Sequence, residues 1–347
     1  MQASWSRQPR RAMGARGGLR YSTASMVVCA SCVENAQNLQ LASLLAGSLA
    51  RAAAVFSIDE VVVLDDVPGR PAGGVSRAAA LLARVLQYLE TPQYLRRALV
   101  PMHADLRFAG SLPPLDAPHH LRATEWGLFR EGVVRASGAG AGSAVDVGLE
   151  RDAWIADEVP AGARVTLRMR QSPQSEQTLL RGEGGAAPAV DVLAQLSPAV
   201  GGVVGQAPDG SEVYLADLGS PLEPRAAHGA YWGYSVRVAS GFKQAIGGSP
   251  FGEPYDLIIG TSERGSPAPP GGRSFPPFKH ALVVFGGPLG LERALTADPD
   301  PPAEAQGDVA NLFQHWINTC PHQGSRTIRT EEAVLISLAH LDPAVGF

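Results

Sequence analysis

With 347 residues, 45% of them hydrophobic, the chain carries enough apolar material for two cores. Lys+Arg 29 against Asp+Glu 33 gives a formal net charge of −4, which excludes a protein that grips a long duplex by its phosphates and leaves any nucleic-acid contact local. No apolar run is long enough to cross a bilayer, so no membrane partner is expected, and three cysteines cannot close a full set of disulfides, which fits a reducing compartment.

Residues 1–24 read as a basic arm. Arg7, Arg10, Arg11, Arg16 and Arg20 stand among Ala, Ser and Gly, and no acidic residue precedes Glu34. Three readings stay open: an organelle import presequence, an arm that touches RNA, or an extension from imperfect gene prediction. Without import, the compartment expected is nuclear, nucleolar or cytoplasmic.

Residues 25–126 read as the first half of an α/β domain. Leu41, Leu44, Leu45, Leu49, Ala52 and Phe56 recur at helical spacing, and Ile58 to Leu64 follows as a buried strand ending in Asp65-Asp66. A second helical stripe, Ala78, Leu81, Leu82, Val85, Leu86 and Leu89, runs until Thr91-Pro92 stops it. Alternating strands and helices predict a parallel sheet.

The pattern changes near Glu125. Residues 127–227 offer short candidate strands at Ala144 to Val147, Arg164 to Met169, Val200 to Val204 and Glu212 to Leu215, separated by Gly- and Pro-rich turns such as Pro208-Asp209-Gly210. That predicts a small all-β module inserted into the α/β domain. Trp154 and Tyr214 suit either its core or its surface.

Residues 228–347 return to the α/β pattern and carry three polar loops, each after an apolar run. Tyr255 to Gly260 leads into Thr261-Ser262-Glu263-Arg264-Gly265, and His280 to Phe285 leads into Gly286-Gly287-Pro288-Leu289-Gly290. The third loop, from Asn318 through Thr319, Cys320, Gln323, Gly324, Ser325, Arg326, Thr327, Ile328 and Arg329 to Thr330, Glu331 and Glu332, feeds a helix with Val334, Leu335, Leu338 and Leu341 at helical spacing. Thr330 is the expected N-cap, with two acids in the first turn. Ligands of parallel sheets bind outside the carboxyl ends of the strands, where these loops fall. Gly286 and Gly287 suit either close approach to a ligand or a plain strand-to-helix turn.

The sequence IGTSERG, then HALVVFGG, then NTCPHQGSRTIRTEEA resembles the SPOUT class of RNA methyltransferases, in the eukaryotic and archaeal branch with an inserted domain. Agreement extends to Asn35-Ala36-Gln37, Ile58 to Val63, Tyr88 to Arg96, Asp105 to Gly110, Pro113 to His120 and Phe129 to Val133, so it spans about Met26 to Leu341. The Ala- and Gly-rich middle and the basic arm lie outside it.

The resemblance implies a trefoil-knotted α/β domain with an OB-like insert, a homodimer with each active site at the subunit boundary, and S-adenosylmethionine as cofactor. It places the cofactor on Thr261, Ser262, Arg264, Gly265, Phe285, Gly286, Gly287, Asn318, Thr319, Cys320, Gln323, Gly324, Ser325, Arg326, Thr327, Ile328, Thr330 and Glu331. The implied product is N3-methyluridine in large-subunit ribosomal RNA. Removing the N3 proton leaves an anion, for which Arg264 is the expected stabilising cation, with Asn35, Arg326 and Arg329 positioning the base or backbone. Glu263, Glu331 and Glu332 are candidate proton acceptors, the last two serving equally as a helix cap. The competing reading is an RNA-binding protein, or one attached to spindle or kinetochore structures, with catalysis secondary or lost.

Cys29 and Cys32 have the spacing of a redox pair or half a zinc site, with Cys320 and His322 as further ligands, but without a second Cys pair they read as small buried thiols and no metal is assigned. Neither a Walker loop nor a dinucleotide fingerprint is present.

Overall fold

The computed structural model describes residues 22–69, 73–138, 140, 142–173, 198–268 and 275–345. The arginines of the basic arm lie outside the described residues. The chain divides into two compact units. One comprises Tyr21–Glu90, Met102–Leu115 and Gly233–Phe347, and the other includes Thr91–Pro101 and Asp116–Trp232, a wider span than the 127–227 read from sequence pattern.

In chain order the α/β unit begins with β1 (Thr23–Cys29), α1 (Leu39–Val55), β2 (Glu60–Leu64) and α2 (Arg77–Glu90). All seven residues of β1 and all five of β2 are buried. Burial of every residue along a strand requires that both faces of the sheet be covered. Asn38 caps α1, its side chain accepting the Leu41 N–H at 2.9 Å. The stripe on α2 is buried throughout, whereas Leu41 and Leu44 on α1 are 44% and 37% exposed.

The β-rich unit follows, with β3 (Phe129–Gly138), β4 (Gly142–Asp146), β5 (Ala153–Ile155), β6 (Arg164–Met169), β7 (Val204–Gln206) and β8 (Glu212–Gly219). They pair in the order β5-β4-β3-β6-β8-β7, and a parallel pairing of β5 with β8 closes the sheet on itself like a small barrel. The strand expected at Val200 to Val204 is instead one helical turn, Pro198–Gly201, with β7 beginning only at Val204. Crowding explains the difference, because a Cβ on Gly201 or Gly202 would meet the Trp126 ring at 2.3 or 2.6 Å. Tyr214 is core, its ring 5.3 Å from that of Trp126 and tilted 56° to it, while Trp154 is half-buried. Arg130 is fully buried: it donates to the carbonyls of Val147, Glu125 and Arg122 at 2.6, 2.9 and 3.1 Å and lies over the Tyr94 ring.

The α/β unit resumes with β9 (Ser235–Ala239), α3 (Phe242–Gly247), β10 (Leu257–Pro267), β11 (His280–Phe285), α4 (Gly290–Ala297), β12 (His315–Asn318) and α5 (Thr330–Val345). Its six strands lie in the order β12-β10-β11-β1-β2-β9, every pairing parallel. On one face Val27, Cys29, Val62, Leu64, Leu282 and Val284 pack with Phe242 and Ala245 of α3 and Leu291 and Ala294 of α4. The alternate residues Met26, Val28, Val61 and Val63, equally buried, point to the other face. There α1 packs against α2 and α5. Beneath β9 the fully buried Glu60 accepts from Arg237 Nε at 2.6 Å and from the Tyr255 hydroxyl. Burial and the bond to Glu60 push the Tyr255 phenol up to about 12.

Candidate functional site

The segments after β11 and β12 are loops at the carboxyl ends of their strands, as expected, but Thr261 to Gly265, expected as a loop, lies inside β10, which runs on to Pro267. The ladder between β10 and β12 runs to Thr261 opposite Ile317 and restarts with Ser266 opposite the same residue, so residues 262–265 bulge from the sheet. Gly265 makes the bulge possible, since a Cβ there would lie 2.3 Å from the Ile317 carbonyl carbon.

Side-chain hydrogen bonds tie the loops together. Asn318 Nδ2 donates to the Glu263 carbonyl at 2.9 Å while its Oδ1 accepts from the Cys320 N–H at 2.9 Å. One amide therefore fixes both the bulge and the start of the third loop. Thr261 Oγ1 donates to the Val284 carbonyl at 2.9 Å, Thr330 Oγ1 donates to the Gly286 carbonyl at 3.1 Å, and the Thr319 and Ser337 hydroxyls lie 2.7 Å apart.

The result is a cavity of about 310 Å³, at the small end of the size range of small-molecule sites. Its walls are Thr261, Ser262, Glu263 and Arg264 from the bulge; Gly286 through Glu292 after β11; Asn318, Thr319, Cys320, Gln323, Thr327 and Ile328 from the third loop; and Ala333, Ile336 and Ser337 from α5. Arg264 reaches across the mouth, its Nη1 donating to Glu292 Oε1 at 3.1 Å, with 71% of its side chain exposed.

Other residues expected here lie elsewhere. Phe285 is fully buried in the core, Gly265 serves the sheet, and Gly324, Ser325 and Arg326 are exposed outside the lining. Thr330 and Glu331 sit behind the cavity wall, and Asn35 is exposed in the turn before α1. The N-cap of α5 is Arg329, not Thr330: its carbonyl accepts the Ala333 N–H at 2.8 Å, and its own N–H donates to the Glu332 carboxylate at 2.9 Å. Thr330 is already helical, which frees its hydroxyl to hold Gly286.

Both readings of the glycine pair stay open. A Cβ on Gly286 would meet Gly290 Cα at 3.1 Å, and one on Gly287 would meet Ser31 Oγ at 2.3 Å. The chain's own atoms crowd these positions, although both glycines also line the cavity. Sequence pattern passed over Leu291, Glu292, Ala333, Ile336 and Ser337; the last three project from α5 at the spacing of one helical face, a signal that was legible.

Cys29 and Cys32 are buried, and burial followed by the Asp66 charge pushes both thiols up, against any thiolate chemistry. Among the described residues no three His, Cys, Asp or Glu side chains gather as a metal site.

Residues 23–341 match the model of a family described as "Putative RNA methyltransferase". This chain belongs to that family. Relatives named 28S rRNA (uridine-N(3))-methyltransferase, from Mus musculus and Homo sapiens, are each 43% identical over 93% of the chain, covering 77% and 78% of their own lengths. A Drosophila melanogaster protein of the same name is 40% identical over 92% of the chain and 62% of its own length. The family match therefore includes both units and every wall of the cavity.

Proposed function

We propose that this chain is a SPOUT-class enzyme that transfers the methyl group of S-adenosylmethionine to uridine N3 in large-subunit ribosomal RNA. The observation that carries this reading is the three-loop cavity in a chain 40–43% identical to proteins named for that reaction.

The lining suits the cofactor. Ile328, Ile336 and Leu289 offer apolar surface to a purine, the main chain at Gly286, Gly287 and Asn318 to Cys320 offers hydrogen-bonding groups, and Glu263 offsets a sulfonium charge. Bound there, the cofactor supplies an electrophilic methyl group whose leaving sulfur departs neutral. The chain's task is alignment and charge. Arg264, exposed at the mouth, stabilises the anion left when uridine N3 loses its proton. Arg326 and Arg329, exposed on the third loop, and Asn35 hold the RNA or its base.

The docking of α5 against α1, with Thr330 on Gly286, supports a knotted last segment. The closed strand order of the β-rich unit, with its single parallel pairing, supports an OB-like fold suited to single-stranded RNA. Exposed Leu41 and Leu44 on α1 and Leu335 and Ile336 on α5 support a homodimer through these helices.

Titration calorimetry with S-adenosylhomocysteine is expected to find one site per chain in a sedimenting dimer. The double variant Leu41→Asp, Leu44→Asp is expected to be a folded monomer without transfer. Absence of binding would sink the enzymatic reading in favour of an RNA- or assembly-binding protein, and an active monomer would remove the dimer from it.

A further inference from the structure

Among the residues that line the cavity the charged side chains are Glu263, Arg264 and Glu292. Glu331 and Glu332 stand outside it, and Glu332 is engaged by the Arg329 N–H. The choice of proton acceptor thus narrows to two carboxylates.

They differ in how they are held. Glu263 is exposed and is tied to the site through its backbone carbonyl, which accepts from Asn318, rather than through its carboxylate. Glu292 is held through one carboxylate oxygen. Oε1 accepts from Arg264 at 3.1 Å, and Oε2 lies over Gly290, only 2.6 Å from where a Cβ on that residue would stand. Gly290 has a φ of +78° and no side chain, so the turn after β11 leaves room for this carboxylate to fold back. Oε2 has no hydrogen-bond partner among the described residues. The cavity thus presents a cation beside a carboxylate with one oxygen open, an arrangement that suits deprotonation of a weakly acidic N–H.

We propose that Glu292 is the general base that takes the N3 proton of the acceptor uridine, an assignment that rests on the uridine-N3 reading above. The N3–H bond breaks with its proton passing to Oε2, and the electron pair stays on N3 under the charge of Arg264. That pair forms the new N3–CH₃ bond as the methyl–sulfur bond breaks towards sulfur, and the carboxylic acid then returns its proton to water. Glu292 and Arg264 act as one unit, the acid's partner being the group that keeps the anion.

Glu292→Gln keeps the shape and an oxygen for Arg264 but cannot accept a proton. It is expected to lower kcat by on the order of 10²–10⁴, with melting temperature and calorimetric affinities for S-adenosylhomocysteine and RNA unchanged. RNA carrying 5-fluorouridine at the target, whose N3 proton is more acidic, is expected to recover a large part of that loss. Without turnover, in the complex with S-adenosylhomocysteine, the absorbance of the ionised ring is expected at higher pH in the wild type than in the variant, because a carboxylate beside N3 disfavours a second negative charge. Wild-type kcat in Glu292→Gln, no recovery with 5-fluorouridine, or the same ionisation in both proteins would each overturn the assignment while leaving the reaction standing. A wild-type protein that methylates no uridine N3 would overturn the underlying reading instead.

Discussion

Two clusters of the same side-chain types sit on one sheet and behave differently. Under β9 the Glu60 carboxylate is wholly buried, and Arg237 and Tyr255 hold it, with Arg237 further saturated by the Gln244 and Ala245 carbonyls at 2.8 Å. At the mouth of the cavity the Arg264 and Glu292 pair is open to solvent and keeps donors and acceptors unused. A saturated buried pair has nothing left to offer a ligand, and breaking it strands a charge. An exposed, unsaturated pair contributes little to folding and is available for chemistry. Hydrogen-bond saturation, not residue type, separates the structural cluster from the candidate site.

The comparison breaks most readily at Glu60. Glu60→Ala leaves the Arg237 guanidinium without its carboxylate and is expected to cost about 3–5 kcal/mol, read as a fall in the urea midpoint. A loss below about 1 kcal/mol would show that the cluster is not a structural anchor.

A smaller effect sharpens the same contrast at alkaline pH. The folded Tyr255 phenol keeps its proton to about pH 12, whereas the unfolded one releases it near 10.0. In that window the unfolded state binds fewer protons, so stability falls as pH rises, by about 2–3 kcal/mol for this group. Tyr255→Phe is expected to flatten that slope; an unchanged slope would assign it to other groups.

Much of this is legible in the sequence itself. β11 and β6 begin and end where the residue pattern placed them, because unbroken apolar runs and alternating pairs declare a strand locally. The third loop was legible as a polar exception between apolar runs, whereas residues 261–265 read as a loop and residues 262–265 form a bulge inside β10. Three further things were not legible. Val200 to Val204 looks like a strand until Trp126, far away in sequence, fills the space beside Gly201 and Gly202. The N-cap moved from Thr330 to Arg329 because the threonine hydroxyl is drawn to the Gly286 carbonyl, a contact made across 44 positions. Glu292 looks like an ordinary first-turn acid of α4, and only the fold brings Arg264 to it from 28 positions upstream.

The central claim is that the open cluster at β10, β11 and β12 performs methyl transfer. Its most direct test is transfer of labelled methyl from S-adenosylmethionine to ribosomal RNA from cells lacking this protein, with nucleoside mass spectrometry of the product, comparing wild type and Arg264→Ala. The account predicts labelled N3-methyluridine, reduced in the variant by on the order of 10²–10³ with the melting curve and cofactor binding retained. Unchanged turnover in Arg264→Ala, or label on another nucleotide, would contradict it.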